Sequence, residues 1–316
     1  VNLAGKRILV TGAHGFLGKH ICHALRKASA HQLTLPYREE YNLTLISEID
    51  CLFALKDPQI MIHAAAVVGG IGANLSEPGR FFYENALMGI QLIEAARLHS
   101  VEKVVVLGTV CSYPKFTPTP FSEDDFWNGY PEETNAPYGI AKKALLTQCM
   151  AYRQQYGMNA IYVVPVNLYG PGDHFDLERS HVIPALIRKC EEARMKGAGE
   201  ITLWGDGSAT REFLHASDAA RGILLATQYY DRPEPINLGS GREISIRDLA
   251  HLIAKITGFT GKIVWDSSKP NGQPRRVLDC RRAQREFGFH ASISLEQGLE
   301  ETVCWYRDHV RHTMVA

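Results

Sequence analysis

Short runs of aliphatic and β-branched residues punctuate the first half of the chain, and stretches with helical apolar spacing separate them. Residues 7–11 (RILVT), 32–35, 60–64 (IMIHA), 103–108 (KVVVLG) and 160–164 read as strands, with helices over 19–28, 82–99 and 138–156. The central runs are apolar at nearly every position rather than at every second one, as happens when helices cover both faces of a sheet. Such alternation over about 170 residues predicts an α/β fold with a parallel, doubly wound sheet. Beyond it the texture changes to short helices, loops and isolated strands at 200–204, 235–238 and 262–265. A helix over 211–228 and the strand at 235–238 are expected to return to the main sheet.

Between the first strand and the first helix lies Gly12-Ala13-His14-Gly15-Phe16-Leu17-Gly18, a G-x-x-G-x-x-G pattern. Glycines here allow a tight turn and let the backbone approach a pyrophosphate seated on the positive end of the following helix. A dinucleotide cofactor is the occupant this predicts, and the fold class becomes Rossmann. The expected division is a dinucleotide-binding domain over 1–170, rejoined by 212–240, with a smaller C-terminal lobe from 171–211 and 241–316. At the end of the second strand an NAD-preferring protein places a carboxylate on the ribose. Here Arg38 stands there, with Glu39 and Glu40 slightly late, which favours NADP(H) and leaves NAD(H) possible; Arg38 as a plain surface charge is the alternative.

Composition narrows the partners. Lysine plus arginine and aspartate plus glutamate number 34 each, so no net charge is available to wrap nucleic acid or hold an anionic membrane. The longest apolar runs, 61–72 and 104–109, fall short of the roughly 18–20 residues that span a bilayer. The first residues lack a signal-peptide core, and a cytoplasmic protein is expected. Seven cysteines without a C-x-x-C pair suit neither a disulfide framework nor a zinc site, and no metal is expected.

Tyr138 and Lys142 are four residues apart on an expected helix, which puts phenol and ammonium on one face. A nearby cation favours phenolate, so this pair is expected to exchange a proton with a carbonyl or alcohol. With the glycine loop and Thr109, the chain resembles the extended short-chain dehydrogenase/reductases. Over nearly its whole length the resemblance narrows to the GDP-L-fucose synthases within them. It rests on Ala65-Ala66-Val67-Val68-Gly69-Gly70-Ile71, Cys111-Ser112-Tyr113-Pro114-Lys115, Glu133-Thr134-Asn135-Ala136-Pro137-Tyr138, Asn167-Leu168-Tyr169-Gly170-Pro171, Ser180-His181-Val182-Ile183-Pro184-Ala185-Leu186 and Arg211-Glu212-Phe213-Leu214-His215.

The resemblance implies a nucleotide-sugar 3,5-epimerase/4-reductase, with Cys111 and His181 as an acid/base pair at C3 and C5. Tyr138, assisted by Lys142 and Thr109, would serve C4. It implies cofactor contacts at Gly12, His14, Gly15, Phe16, Leu17, Gly18, Arg38, Ala64, Ala65, Leu107, Tyr138, Lys142, Pro165, Asn167, Leu168 and His181. Nucleotide-sugar contacts are implied at Asn167, Lys189, Trp204 and Arg211, with core packing the alternative for Trp204. A homodimer through helices 82–99 and 138–156 is implied as well. The chain departs from the family at Thr109-Val110-Cys111-Ser112, where Ser-Ser-Cys-Ile is more usual. His14 and Lys189 stand at positions often arginine, Pro36 replaces another residue of the cofactor site, and Asn271 stands at a position often aspartate. The sugar therefore stays open: a deoxyhexose, a colitose-type dideoxysugar or a heptose fits, as does redox-neutral 4-epimerisation with retained cofactor.

Overall fold

In the computed structural model, which describes residues 1–177, 180–269 and 272–309, the apolar runs of the first half form strands close to where they are read. The chain runs β1 (Ile8–Thr11), α1 (Phe16–Lys27), β2 (Leu33–Thr34), α2 (Ile46–Lys56), β3 (Ile60–His63), α3 (Ile71–Ser76), α4 (Pro78–Leu98), β4 (Lys103–Leu107), α5 (Ala136–Tyr156) and β5 (Ala160–Pro165). It continues through β6 (Asn167–Tyr169), α6 (Val182–Lys196), β7 (Glu200–Trp204), β8 (Thr210–His215), α7 (Ala216–Tyr229), β9 (Ile236–Leu238), β10 (Glu243–Ser245) and α8 (Ile246–Thr257). It finishes with β11 (Lys262–Asp266), β12 (Arg275–Arg276), α9 (Arg281–Phe287) and α10 (Leu295–His309).

Six strands form one sheet in the order β2-β1-β3-β4-β5-β9, every neighbouring pair parallel. β1, β3, β4 and β5 are buried at every position, as the unbroken apolar runs require of strands covered on both faces. This is the doubly wound Rossmann class read from the sequence. The order steps outward in both directions from β1, so a crevice opens at the carboxyl ends of β1 and β3, where such sheets bind ligands. His63, Leu107 and Pro165 end their strands on that edge.

Two long helices begin before their apolar spacing shows them. α4 starts at Pro78 and α5 at Ala136 with Pro137 behind it, because proline in the first turn gives up an N–H that no helix would pair there. The expected helix over 211–228 is corrected to two elements. β8 pairs with β6, β10 and β12 away from the main sheet, and only α7 and β9 turn back to it. Phe213, Leu214 and His215 are buried as strand residues, and their local spacing alone mimics a helix.

The buried side chains form two clusters. One fills the main sheet and its helices; the other gathers Ile183, Leu186, Ile187, Phe213, Leu249, Ile253 and Leu299 among α6, β8, α8 and α10. Among the described residues no helix is long and apolar enough to cross a membrane.

Candidate active site

Gly12 carries φ +72°, and a Cβ there would lie 2.7 Å from the Ala65 backbone. At Gly18 it would lie 2.0 Å from the Gly12 carbonyl oxygen. The loop is thus folded against the exit of β3 and the start of α1 with no room for a side chain. Gly15 stands at the head of α1, which has no side-chain cap and no acidic residue in its first turn. Its first N–H groups and the helix dipole suit a diphosphate. Gly18→Ala is expected to lose nucleotide retention by at least about tenfold with a lowered melting temperature, since backbone must move to admit the methyl group. Titration with NADPH followed by fluorescence checks this.

Thr11 and His63 pin the neighbouring strand ends, with Thr11 Oγ1 2.8 Å from His63 Nδ1 and accepting from the Ala65 N–H at 3.3 Å. Asn85, buried in α4, holds the loop beyond Ala64 and Ala65: its Oδ1 accepts from Val67 N and its Nδ2 donates to Val67 O, both at 2.9 Å. Sequence reasoning missed Asn85, which looks like any polar residue on a helix. At the far end of the crevice the His14 ring stacks on Tyr37, centroids 3.6 Å apart, and Nε2 meets the Leu35 carbonyl at 3.0 Å. Arg38 follows with a largely exposed side chain, 3.7 Å from Glu84.

Beyond β4 a single 3-10 turn, Val110–Ser112, presents Cys111, whose N–H donates to Thr109 Oγ1 at 3.2 Å. α5 is pressed onto this turn. A Cβ on Gly139 would lie 2.4 Å from the Cys111 carbonyl oxygen, and Ser112 Oγ donates to Gly139 O at 2.9 Å. Gly139 thereby brings Tyr138 near Thr109, whose hydroxyl acts to lower the phenol pKa. The glycine inside Tyr-Gly-Ile-Ala-Lys was a visible signal that the sequence reading did not use.

The protonation of the pair differs from expectation. Burial, with a smaller contribution from Cys111, raises the Tyr138 pKa, and the Thr109 hydrogen bond only partly offsets this. Lys142 is buried too, and desolvation pushes its pKa down to about 8. Loss of hydration at both groups therefore outweighs the expected lowering of the phenol by the ammonium, leaving a protonated phenol. Lys142 also has a folded-state pKa below its ordinary 10.5, so its buried ammonium costs stability below about pH 8, and that cost fades as pH rises from there towards 10.5. Lys142→Met is expected to raise the melting temperature by a few degrees at pH 7, less at pH 10, while slowing reduction about 100-fold. Thermal melts at both pH values check the sign.

On the facing side, His181 is the N-cap position of α6. The residue is exposed, yet desolvation by neighbouring protein, then the charge of Arg276, then His174 lower its pKa. Arg211 on β8 has its pKa lowered to about 9, first by burial and then by Arg276, with Cys111 and Glu132 acting the other way. Arg276 Nη1 donates to Cys111 Sγ at 3.6 Å. Thr109, Cys111 and Tyr138 are thus neighbours, and Arg276 connects Cys111 electrostatically with Arg211 and His181.

The remaining residues lie further out. Asn167 Nδ2 donates to Glu212 O at 2.9 Å, and Leu168 is half-buried beside it on β6. Lys189 Nζ donates to Thr202 O at 2.8 Å, and burial lowers its pKa. Trp204 is 54 % exposed with Lys269 over its ring, which removes core packing as its role. Asn271 lies outside the described residues.

The model of the NAD dependent epimerase/dehydratase family matches residues 8–239. The chain belongs to that family. It is 42% identical over 300 residues to a GDP-L-fucose synthase of Sinorhizobium fredii, covering 95% of each chain. To a GDP-L-colitose synthase of Yersinia pseudotuberculosis it is 37% identical over 302 residues, covering 95% of this chain and 97% of that one. Among solved structures, a GDP-L-fucose synthetase from Naegleria fowleri bound to NADP superposes with a TM-score of 0.87 at 29% identity, covering 96% of this chain and 95% of that one. The family resemblance read from the motifs is therefore borne out along nearly the whole of this family member.

Proposed function

We propose that the chain is a nucleotide-sugar 3,5-epimerase/4-reductase converting a GDP-4-keto-6-deoxy-mannose-type sugar to GDP-L-fucose, or a close analogue, with NADPH. What supports this is the grouping beyond β4: Cys111 N donates to Thr109 Oγ1, Tyr138 is influenced by both Thr109 and Cys111, and Arg276, bonded to the Cys111 sulfur, also acts on His181. A 4-ketone acidifies C3 and C5, so a base on one face and an acid on the other can invert either carbon. Cys111 and His181 take those places. Tyr138, held protonated, hydrogen-bonds the C4 oxygen through enolisation and gives it a proton at reduction, with Thr109 orienting the phenol. The cofactor, when bound, supplies hydride to C4.

Gly12, Gly15, Phe16, Leu17 and Gly18 would seat the diphosphate, and Ala64, Ala65, Leu107, Pro165, Asn167 and Leu168 the nicotinamide end. His14 and Arg38 would meet the 2′-phosphate, and their placement at one end of the crevice supports NADP(H) over NAD(H). Lys189, Arg211 and Trp204 would bind the GDP portion, the guanidinium fork suiting the diphosphate. Residues 1–170 with α7 and β9 form the cofactor half in this reading, and the remainder the sugar half.

The similarity to a colitose synthase favours a second sugar, a dideoxy analogue, on the same framework. A cytoplasmic homodimer completes the proposal. All seven cysteines are unpaired, and Phe82, Tyr83, Ile90, Met150 and Tyr156 leave large apolar area exposed on α4 and α5, the helices through which a pair of copies would meet. Absorbance at about 340 nm, with NADPH or NADH and GDP-4-keto-6-deoxy-mannose, tests the central claim when product stereochemistry is read by NMR. Stoichiometric loss with L-fuco product is expected; no loss with either cofactor on this sugar or on its dideoxy analogue rejects the reductase.

A further inference from the structure

We propose that Arg276 is a positioning residue for Cys111: its guanidinium donates to Sγ and stabilises the negative charge the sulfur carries when it acts as base. The inference rests on the epimerase reading above and adds a residue to it. Arg276 is only 7% exposed, so its charge is little screened by water. Its Nη1 lies 3.6 Å from Sγ. Its Nε donates to Gln273 Oε1 at 3.2 Å, and Gln273 Nε2 donates in turn to Lys115 O at 3.0 Å. The guanidinium is thereby fixed against the same segment, Cys111 to Lys115, that carries the thiol.

A neutral thiol is a weak acceptor, whereas a thiolate accepts a charge-assisted hydrogen bond. Cysteines beside arginine or lysine ionise more easily for that reason. The titratable groups facing Cys111 are Arg276 from β12, Arg211 from β8 and Tyr138 from α5, with Glu132 behind Arg211. Of these only Arg276 donates directly to the sulfur. The same charge disfavours an imidazolium at His181, so a proton carried there is given up more readily. One cation therefore favours the base form on one face and strengthens the acid on the other.

The step balances. The thiolate takes the C3 or C5 hydrogen as a proton, the C–H electron pair becomes an enolate with its charge on the C4 oxygen, and His181 delivers its proton to the opposite face. Cys111 then loses its proton to water and His181 takes one up.

The test reads the sulfur without substrate. In NADPH-loaded protein carrying Cys51→Ser and Cys304→Ser, alkylation of Cys111 by iodoacetamide is followed against pH by mass spectrometry of its peptide. Arg276→Gln is expected to slow alkylation at pH 7 about tenfold and move the profile about one pH unit upward, with Arg276→Lys moving it back towards the parent. Deuterium exchange at C3 and C5 should fall in parallel. Profiles that coincide with the parent in both variants, with only KM for the nucleotide sugar raised, would make Arg276 a substrate contact and overturn the proposal. If Arg276→Gln does not fold, Gln273→Leu, which frees the guanidinium from its anchor, is read in its place and is expected to shift the profile in the same direction. A chain that never turns over the GDP-sugar would fail the functional reading while leaving the alkylation profile legible.

Discussion

Cys111→Ala should lower incorporation of solvent deuterium at C3 and C5 by about 10²- to 10⁴-fold, the range for removing a general base. Nucleotide binding should persist, because the substitution leaves the glycine loop and α5 untouched. Cys149, Cys190 and Cys280 cannot replace it. Cys149 and Cys190 are buried, with burial pushing their thiols up to about 12 and about 11. Cys280 is raised well above the usual range by burial first and by Glu212 and Glu123 second. NMR of the substrate in deuterated buffer, with no reductant added, reads the effect directly. Exchange at the parental rate would remove Cys111 as the base.

Tyr138→Phe should have the opposite signature. Loss of the phenol removes the proton donor to the C4 oxygen, so NADPH consumption should fall by about 10²- to 10⁴-fold while exchange at C3 and C5 continues, slowed by the loss of one hydrogen bond to the enolate. The raised pKa of Tyr138 suits this assignment, since reduction needs the neutral phenol. Single-turnover absorbance and deuterium exchange on the same protein separate the two halves of the reaction. If hydride transfer proceeds at the parental rate, Tyr138 has no acid role.

Much of this was legible from the chain alone because it is local. A glycine loop between strand and helix, a tyrosine four residues before a lysine, and apolar runs four to six residues long all declare themselves within a short window. The family motifs extended that reach to Cys111 and His181. What escaped is what distant segments do to one another. β8 was read as helix because strand identity there depends on partners at 167–169, 243–245 and 275–276. Arg276 belongs to none of the motifs read from the chain, and its burial and its sulfur partner appear only when residues 165 positions apart meet. The phenol was expected to be acidified because charge proximity can be read from spacing, whereas the larger effect of burial cannot.

The two separate apolar clusters give the molecule two cooperative units rather than one. Amides in β7, α6 and α8 need not exchange with solvent hydrogen in the same opening events as those of β1, β3 and β4, since each set is protected by its own core. A ligand held from both sides should erase that difference. Cofactor alone should slow exchange chiefly around the glycine loop, and a nucleotide sugar spanning Cys111 and Arg211 should make the two halves open as one.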